Sequence, residues 1–161
     1  KPLVGLEFDR FWASSAIEEA VARYPFNNSQ EKQLIRIDSA QDFEIHAPRL
    51  LVVHVLFNLI KNGLYYVQRG QKGAITISTT RGETNQVEVH DTGAGIPPAV
   101  LSQIFEPFYT TTLTGQGAGI GLSFCSMVMQ SVGGKIECAS VQDEYTAFTL
   151  SFPTEPQRIQ A

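Results

Sequence analysis

The sequence predicts an α/β fold, a two-layer sandwich in which a mixed sheet of about five strands is covered on one face by three helices. Three observations lead there. Residues 48–68 carry Val53, Phe57, Ile60, Leu64 and Val67 on one continuous helical stripe. Residues 73–81 with 85–91, and 136–141 with 145–152, alternate as two antiparallel pairs that each expose one apolar face. Between them, glycine-rich residues 105–122 feed directly into a second apolar helix over about 118–132.

Taken in order, residues 3–8 (LVGLEF) predict a short strand, and residues 14–24 a helix with Ile17, Ala20, Val21 and Tyr24 on one face. Pro25 and the polar run Asn27–Lys32 close that helix, and two short strands, Leu34–Ile37 and Phe43–Ile45, flank a turn at Asp38–Asp42. Pro48 suits the first turn of the long helix. Pro98 to Ile104 reads as a short helix, and Gly133-Gly134 stops the helix before it. At 161 residues the chain is one domain, set at 1–153, with a loose tail at 154–161. Lys1 at the first position suggests a piece of a longer protein. A net charge of −4 speaks against nucleic acid as the main partner. No signal peptide and no run of membrane-span length is read, so no direct membrane contact is expected. Cys125 and Cys138 lack metal-ligand spacing and read as reduced core thiols.

The candidate chemistry lies on three stretches. FEPFYTTTLTGQGAGIGL (105–122) is either a flexible surface loop or a phosphate cradle, because glycines before a helix start offer free N–H groups to an anion. It is not a P-loop, since Gly134-Lys135 is followed by Ile136, and Leu122 occupies the third small position of a Rossmann fingerprint. On the long helix, Asn58, Asn62 and Tyr66 recur at i, i+4 and i+8, opposite the apolar stripe but beside Leu51 and Val55. They are either solvated surface residues or groups that need partners. In the strand 85–91, Val87, Val89 and Asp91 share one parity, which turns a carboxylate toward the helical layer at the strand's end. Asp91 there is either an Asx-turn residue or a ligand-facing acceptor. Thr146 shares the inward parity of Phe148, Leu150 and Phe152.

Together these stretches resemble the catalytic ATP-binding domain of sensor histidine kinases, the GHKL or Bergerat-fold superfamily. HVLFNLIKNGLYYV (54–67) is similar to its N box, DTGAGI (91–96) to its first glycine box, FEPFYTT (105–111) to its F box and GAGIGLSF (117–124) to its second glycine box. VGGKI (132–136) and YTAFTLSFP (145–153) resemble the way such domains close. The run from FYTT through GAGIGLSFC also resembles quorum-sensing hybrid sensor kinases.

The resemblance implies ATP and Mg²⁺ bound between sheet and helices. It implies that Asn62 is the metal ligand, that Asn58 faces the same metal and phosphate region, and that both serve catalysis. Asp91 would accept the adenine amine, Tyr66 would lay its ring on the base, and Gly93, Gly95 and Ile96 would line the base pocket. Lys61, Phe108, Thr110, Thr111, Gly117, Gly119, Gly121 and Leu122 would surround the phosphates, residues 109–118 would act as a lid, and Thr146 would supply a pocket-floor hydroxyl. Hydrolysing members carry a glutamate where this chain has Asn58, so the resemblance is to the phosphotransfer branch. The basic residues that many relatives carry are replaced by Tyr65, Thr112 and Leu113, and the hydroxyl between the first two glycines of the second box by Ala118. The implied function is donation of the γ-phosphoryl group to a histidine on the dimerisation domain of the same kinase, with a response-regulator receiver domain downstream. The implied location is the cytoplasm, with the parent protein tethered to the inner membrane. None of His46, His54 and His90 sits in a phosphoacceptor setting, and each is read as structural. A serine kinase of the anti-sigma-factor type and a non-catalytic nucleotide sensor are the alternatives.

Overall fold

The computed structural model describes residues 6–107 and 120–154. Chain order is β1 (Asp9–Trp12), α1 (Ala13–Arg23), α2 (Ser29–Gln33), β2 (Ile35–Asp38), β3 (Glu44–Ala47), α3 (Arg49–Gly70), β4 (Ile75–Thr80), β5 (Asn85–Asp91), α4 (Pro98–Leu101), α5 (Ile120–Ser131), β6 (Lys135–Val141) and β7 (Tyr145–Phe152). The main sheet has five strands in the order β2-β4-β5-β7-β6. Only the β2–β4 pair is parallel, so the sheet is mixed as the sequence predicts.

The helical layer is built on α3, which packs against α1 on one side and α5 on the other. Its stripe residues Val53, Ile60, Leu64 and Val67 are buried, as are Leu56 and Leu59 between them. From the sheet, Ile75, Ile77, Val87, Val89, Phe148 and Leu150 meet them. Burying such side chains contributes about 1.5–3 kcal/mol each. Among the described residues α3 is the one helix long and apolar enough to cross a bilayer, yet here it is the central helix of the core.

Four readings change. The first strand is Asp9–Trp12, not 3–8, because Phe11 pairs with Ile45 and both turn inward, while Leu6 and Phe8 stay exposed. The two short strands that follow do not form one sheet. β3 pairs antiparallel with β1 in a separate ribbon, and β2 runs parallel to β4 at the edge of the main sheet. The polar run after Pro25 contains a helix, α2, held by a reciprocal cap. Asn28 Oδ1 accepts from Glu31 N at 2.9 Å, and Glu31 Oε1 accepts from Asn27 N at 2.8 Å. Pro48 stands at the N-cap of α3 rather than inside its first turn.

Candidate functional site

The strand parity that aims Asp91 inward holds. Asp91 closes β5 between Ile75 on β4 and Thr146 on β7, and it is 2% exposed. Its Oδ1 accepts from the Gly93 N–H at 3.0 Å, an Asx turn, and this is its one hydrogen bond among the described residues. Burial pushes the carboxyl up to about 6, partly opposed by the Gly93 N–H. Thr146, directly opposite Asp91, is fully buried, and Ser140 on β6 is opposite Thr146 in turn.

The turn after Asp91 lies against the end of α3. The Ala94 N–H donates to the Tyr66 carbonyl at 2.9 Å, and a Cβ on Gly93 would sit in the Tyr66–Val67 backbone. Gly95 has φ 69°, and a Cβ there would run into the Val141 carbonyl, so both its torsion and its surroundings require glycine. The Ile96 N–H donates to Ser140 Oγ at 2.8 Å, and the Asp143 N–H donates to the Ala94 carbonyl at 2.6 Å. The β6–β7 turn thereby clasps the glycine turn. Tyr66 is buried, its ring edge-on to Tyr65 at 5.1 Å.

One face of α3 carries the other predicted group. Asn58 Nδ2 donates to the His54 carbonyl at 3.0 Å, and Asn62 Nδ2 donates to the Asn58 carbonyl at 2.8 Å. Both amide nitrogens are tied back to their own helix, so the two Oδ1 atoms, one turn apart, are not used by those bonds. Asn58 Oδ1 faces the first turn of α5, where a Cβ on Gly121 would overlap it. Gly121 is therefore small because the α3 amide needs the space. Leu122 is half-buried against the core, and Lys61 is exposed. Phe108, Thr110, Thr111, Gly117 and Gly119, and the lid expected at 109–118, lie outside the described residues.

Beside the last turns of α3 opens a cleft of about 700 Å³, a size that suits a small-molecule ligand. Its lining among the described residues includes Tyr66, Gly95 and Ile96, together with Tyr65, Arg69 and Gln142. Asp91 and the two asparagines are not part of that lining. Sequence reasoning missed Ser140, although Ile136, Cys138 and Ser140 alternate along β6 as its inward set.

Both cysteine thiols are pushed up to about 12, Cys125 by burial and Cys138 by burial and then by the Asp91 charge, so neither is a thiolate at neutral pH. His46 and His54 lie against Phe8 and Phe57, and His90 stacks on Tyr145. Among the described residues no three His, Cys, Asp or Glu side chains gather as a metal cluster. A cation here would depend on amide oxygens, and Asn62 Oδ1 suits Mg²⁺, which takes one or two protein oxygens alongside phosphates and waters.

The family model described as histidine kinase-, DNA gyrase B-, and HSP90-like ATPase matches residues 47–156, well over half of the chain. The chain belongs to this ATPase family. Its relatives include the CAI-1 autoinducer sensor kinase/phosphatase CqsS of Vibrio cholerae, 38% identical over 91% of this chain, and the autoinducer 1 sensor kinase/phosphatase LuxN of Vibrio harveyi, 37% identical over 91%. The chain spans only 21% and 17% of those two proteins. Among solved structures, the nucleotide-free catalytic domain of histidine kinase ThkA superposes with a TM-score of 0.76 at 27% identity, covering 92% of this chain and 96% of that one. Within the family, then, the chain is an ATP-binding domain of the sensor histidine kinase kind, with the two-layer architecture of those catalytic domains.

Proposed function

We propose that this domain binds Mg-ATP and donates the γ-phosphoryl group to a histidine on the dimerisation domain of the same parent kinase, which in turn supplies a response-regulator receiver domain. The observation that carries this reading is the pairing of two amide side chains one turn apart on α3 with a buried carboxylate at the end of β5, which α3 packs against. Asp91 keeps one oxygen in its turn and offers the other as an acceptor, which matches the exocyclic amine of adenine. Tyr66, Gly93, Gly95 and Ile96 bound the base, and Thr146 forms the floor beside Asp91.

Asn62 would hold Mg²⁺ through its amide oxygen, with Asn58 and Gly121 keeping the start of α5 close by. The ion supplies charge neutralisation and alignment of the phosphates, the main contributions to phosphoryl transfer. Lys61 and Leu122 are assigned to the phosphates, and Phe108, Thr110, Thr111, Gly117 and Gly119 are given the same role from their sequence motifs alone. Asn58 is an amide and cannot take a proton from water as a carboxylate would, which favours transfer over hydrolysis. Neither the exposed His54 nor His46 or His90 has an acidic side chain bonded to it among the described residues, so the acceptor histidine is assigned to another domain. The domain works in the cytoplasm, in a parent protein tethered to the inner membrane.

The test is transfer in trans. The chain is mixed with radiolabelled Mg-ATP and its own dimerisation domain, and acid-labile, base-stable label on a histidine there is expected. Acid-stable label would assign a serine kinase instead. Tight ATP binding without any transfer would assign a nucleotide sensor, the reading that Tyr65 in place of a basic side chain favours.

A further inference from the structure

Ser140 lies on the edge strand β6, and no part of the reading above assigns it a role. Its hydroxyl is within hydrogen-bond distance of three partners: the Tyr145 carbonyl at 2.7 Å, the Ile96 N–H at 2.8 Å and Thr146 Oγ1 at 3.0 Å. The register places it in a row across three strands, Asp91 on β5, Thr146 on β7 and Ser140 on β6, all on the face turned to the helices. A serine hydroxyl has one proton to give and two lone pairs. The Tyr145 carbonyl can only accept, so it takes the proton. The Ile96 N–H can only donate, so it fills one lone pair. What remains for Thr146 is the second lone pair, and the Thr146 hydroxyl must therefore spend its own proton on Ser140.

We propose that Ser140 is a positioning residue for base selectivity: it fixes the proton of the Thr146 hydroxyl away from the site, so that Thr146 and Asp91 both present acceptors to the bound base. Two neighbouring acceptors favour a base edge that donates, as the amine of adenine does, and disfavour one that carries a carbonyl. The same hydroxyl anchors the backbone of Ile96, so the wall and the floor of the base pocket share one pin. The inference rests on the adenine reading of Asp91, and it assigns the polarity of that site to a side chain outside it.

The test compares Mg-ATP with the Mg complex of inosine triphosphate, whose base carries a carbonyl in place of the adenine amine, by titration calorimetry. In Ser140→Ala the Thr146 proton is free to turn toward the base, and the preference for ATP should narrow by about tenfold. Ser140→Thr keeps the hydroxyl and should restore the wild-type preference. Thr146→Val leaves the Ser140 bonds to Ile96 and Tyr145 in place while removing the acceptor, and it should narrow the preference as well. Equal loss of both nucleotides in Ser140→Ala, or an unchanged preference in Thr146→Val, overturns the proposal and leaves Ser140 a loop anchor. Wild-type protein that binds both nucleotides alike overturns the adenine reading itself.

Discussion

Asp91 and Asn62, the two ends of the proposed site, stand on facing layers, but they are held in different ways. Asp91 is part of a sheet ladder with a strand on each side, is almost fully buried, and is followed by a turn whose glycines touch α3 and the β6–β7 turn. Asn62 is a half-buried side chain on one helix, held among the described residues by a bond to the carbonyl one turn back. The proposed base end is thus made of core, and whatever alters it acts on the fold. The proposed phosphate end is made of surface, and removing its chemistry is expected to leave the fold in place.

The sharpest way to break that contrast is Gly93→Val. Its new side chain would meet the Tyr66–Val67 backbone, which no rotamer change relieves, so a loss of about 3 kcal/mol is expected, or roughly 6–12 °C in Tm. Gly82→Ala, at an open turn, should melt like wild type. Similar melting temperatures for the two variants would show that the base end is not built into the core.

Next in size is Asn62→Ala, expected to reduce transfer to the histidine by about 10²-fold or more, some 2.7 kcal/mol in barrier. Its unfolding free energy should change by no more than about 0.5 kcal/mol, since the side chain is half-exposed. A large thermal shift would erase the distinction between the two ends. Asp91→Asn should weaken ATP binding about tenfold while circular dichroism stays native, because an amide turned toward the adenine amine offers a donor to a donor. Unchanged calorimetric affinity in a folded variant removes Asp91 from base recognition.

The last effect is graded, and it is in pH. With Asp91 pushed up to about 6, lowering pH through that value protonates the acceptor, and ATP affinity should fall, by about tenfold at one unit below. Stability without nucleotide moves the other way. The folded pKa is above the unfolded one, so this group's contribution is fully present below the unfolded value and is lost as pH rises through about 6. Calorimetry and melting between pH 5 and 8, the range that brackets that value, should show the two trends with opposite slopes, and Asp91→Asn should flatten both.

Much of this site can be read in the chain because alternation and helical period are local. The parity of Val87, Val89 and Asp91, and that of Thr146 with Phe148, gives the inward direction of both polar groups without any tertiary knowledge. The i, i+4 spacing of Asn58 and Asn62 does the same for the amides. What the sequence hides is non-local. Ile35 and Ile37 look like strand residues, but their parallel pairing with Ile75 and Ile77 passes over β3 and α3, and no short-range pattern carries it. The start of β1 is set by the pairing of Phe11 with Ile45, which outweighs the more apolar run before it. Ser140 reads as one polar residue on an edge strand, and its three bonds come from the 94–96 turn and from the first two residues of β7. The helix α2 was missed although its signal is local: Asn28 three residues before Glu31 is a capping pattern inside the run read as a helix end.

The clasp between the β6–β7 turn and the glycine turn bears on protein engineering. Hairpin tips are the usual places to splice in a tag, a reporter or a new terminus, because their backbone carries few obligations. This tip is committed. Asp143, held at φ 68°, donates its N–H to Ala94 and accepts the Lys72 ammonium on its carbonyl, and Gln142 lies against Gly95. An insertion between Gln142 and Glu144 would be felt at Asp91, whereas the Gly82–Thr84 hairpin at the opposite end of β5 offers a permissive graft point.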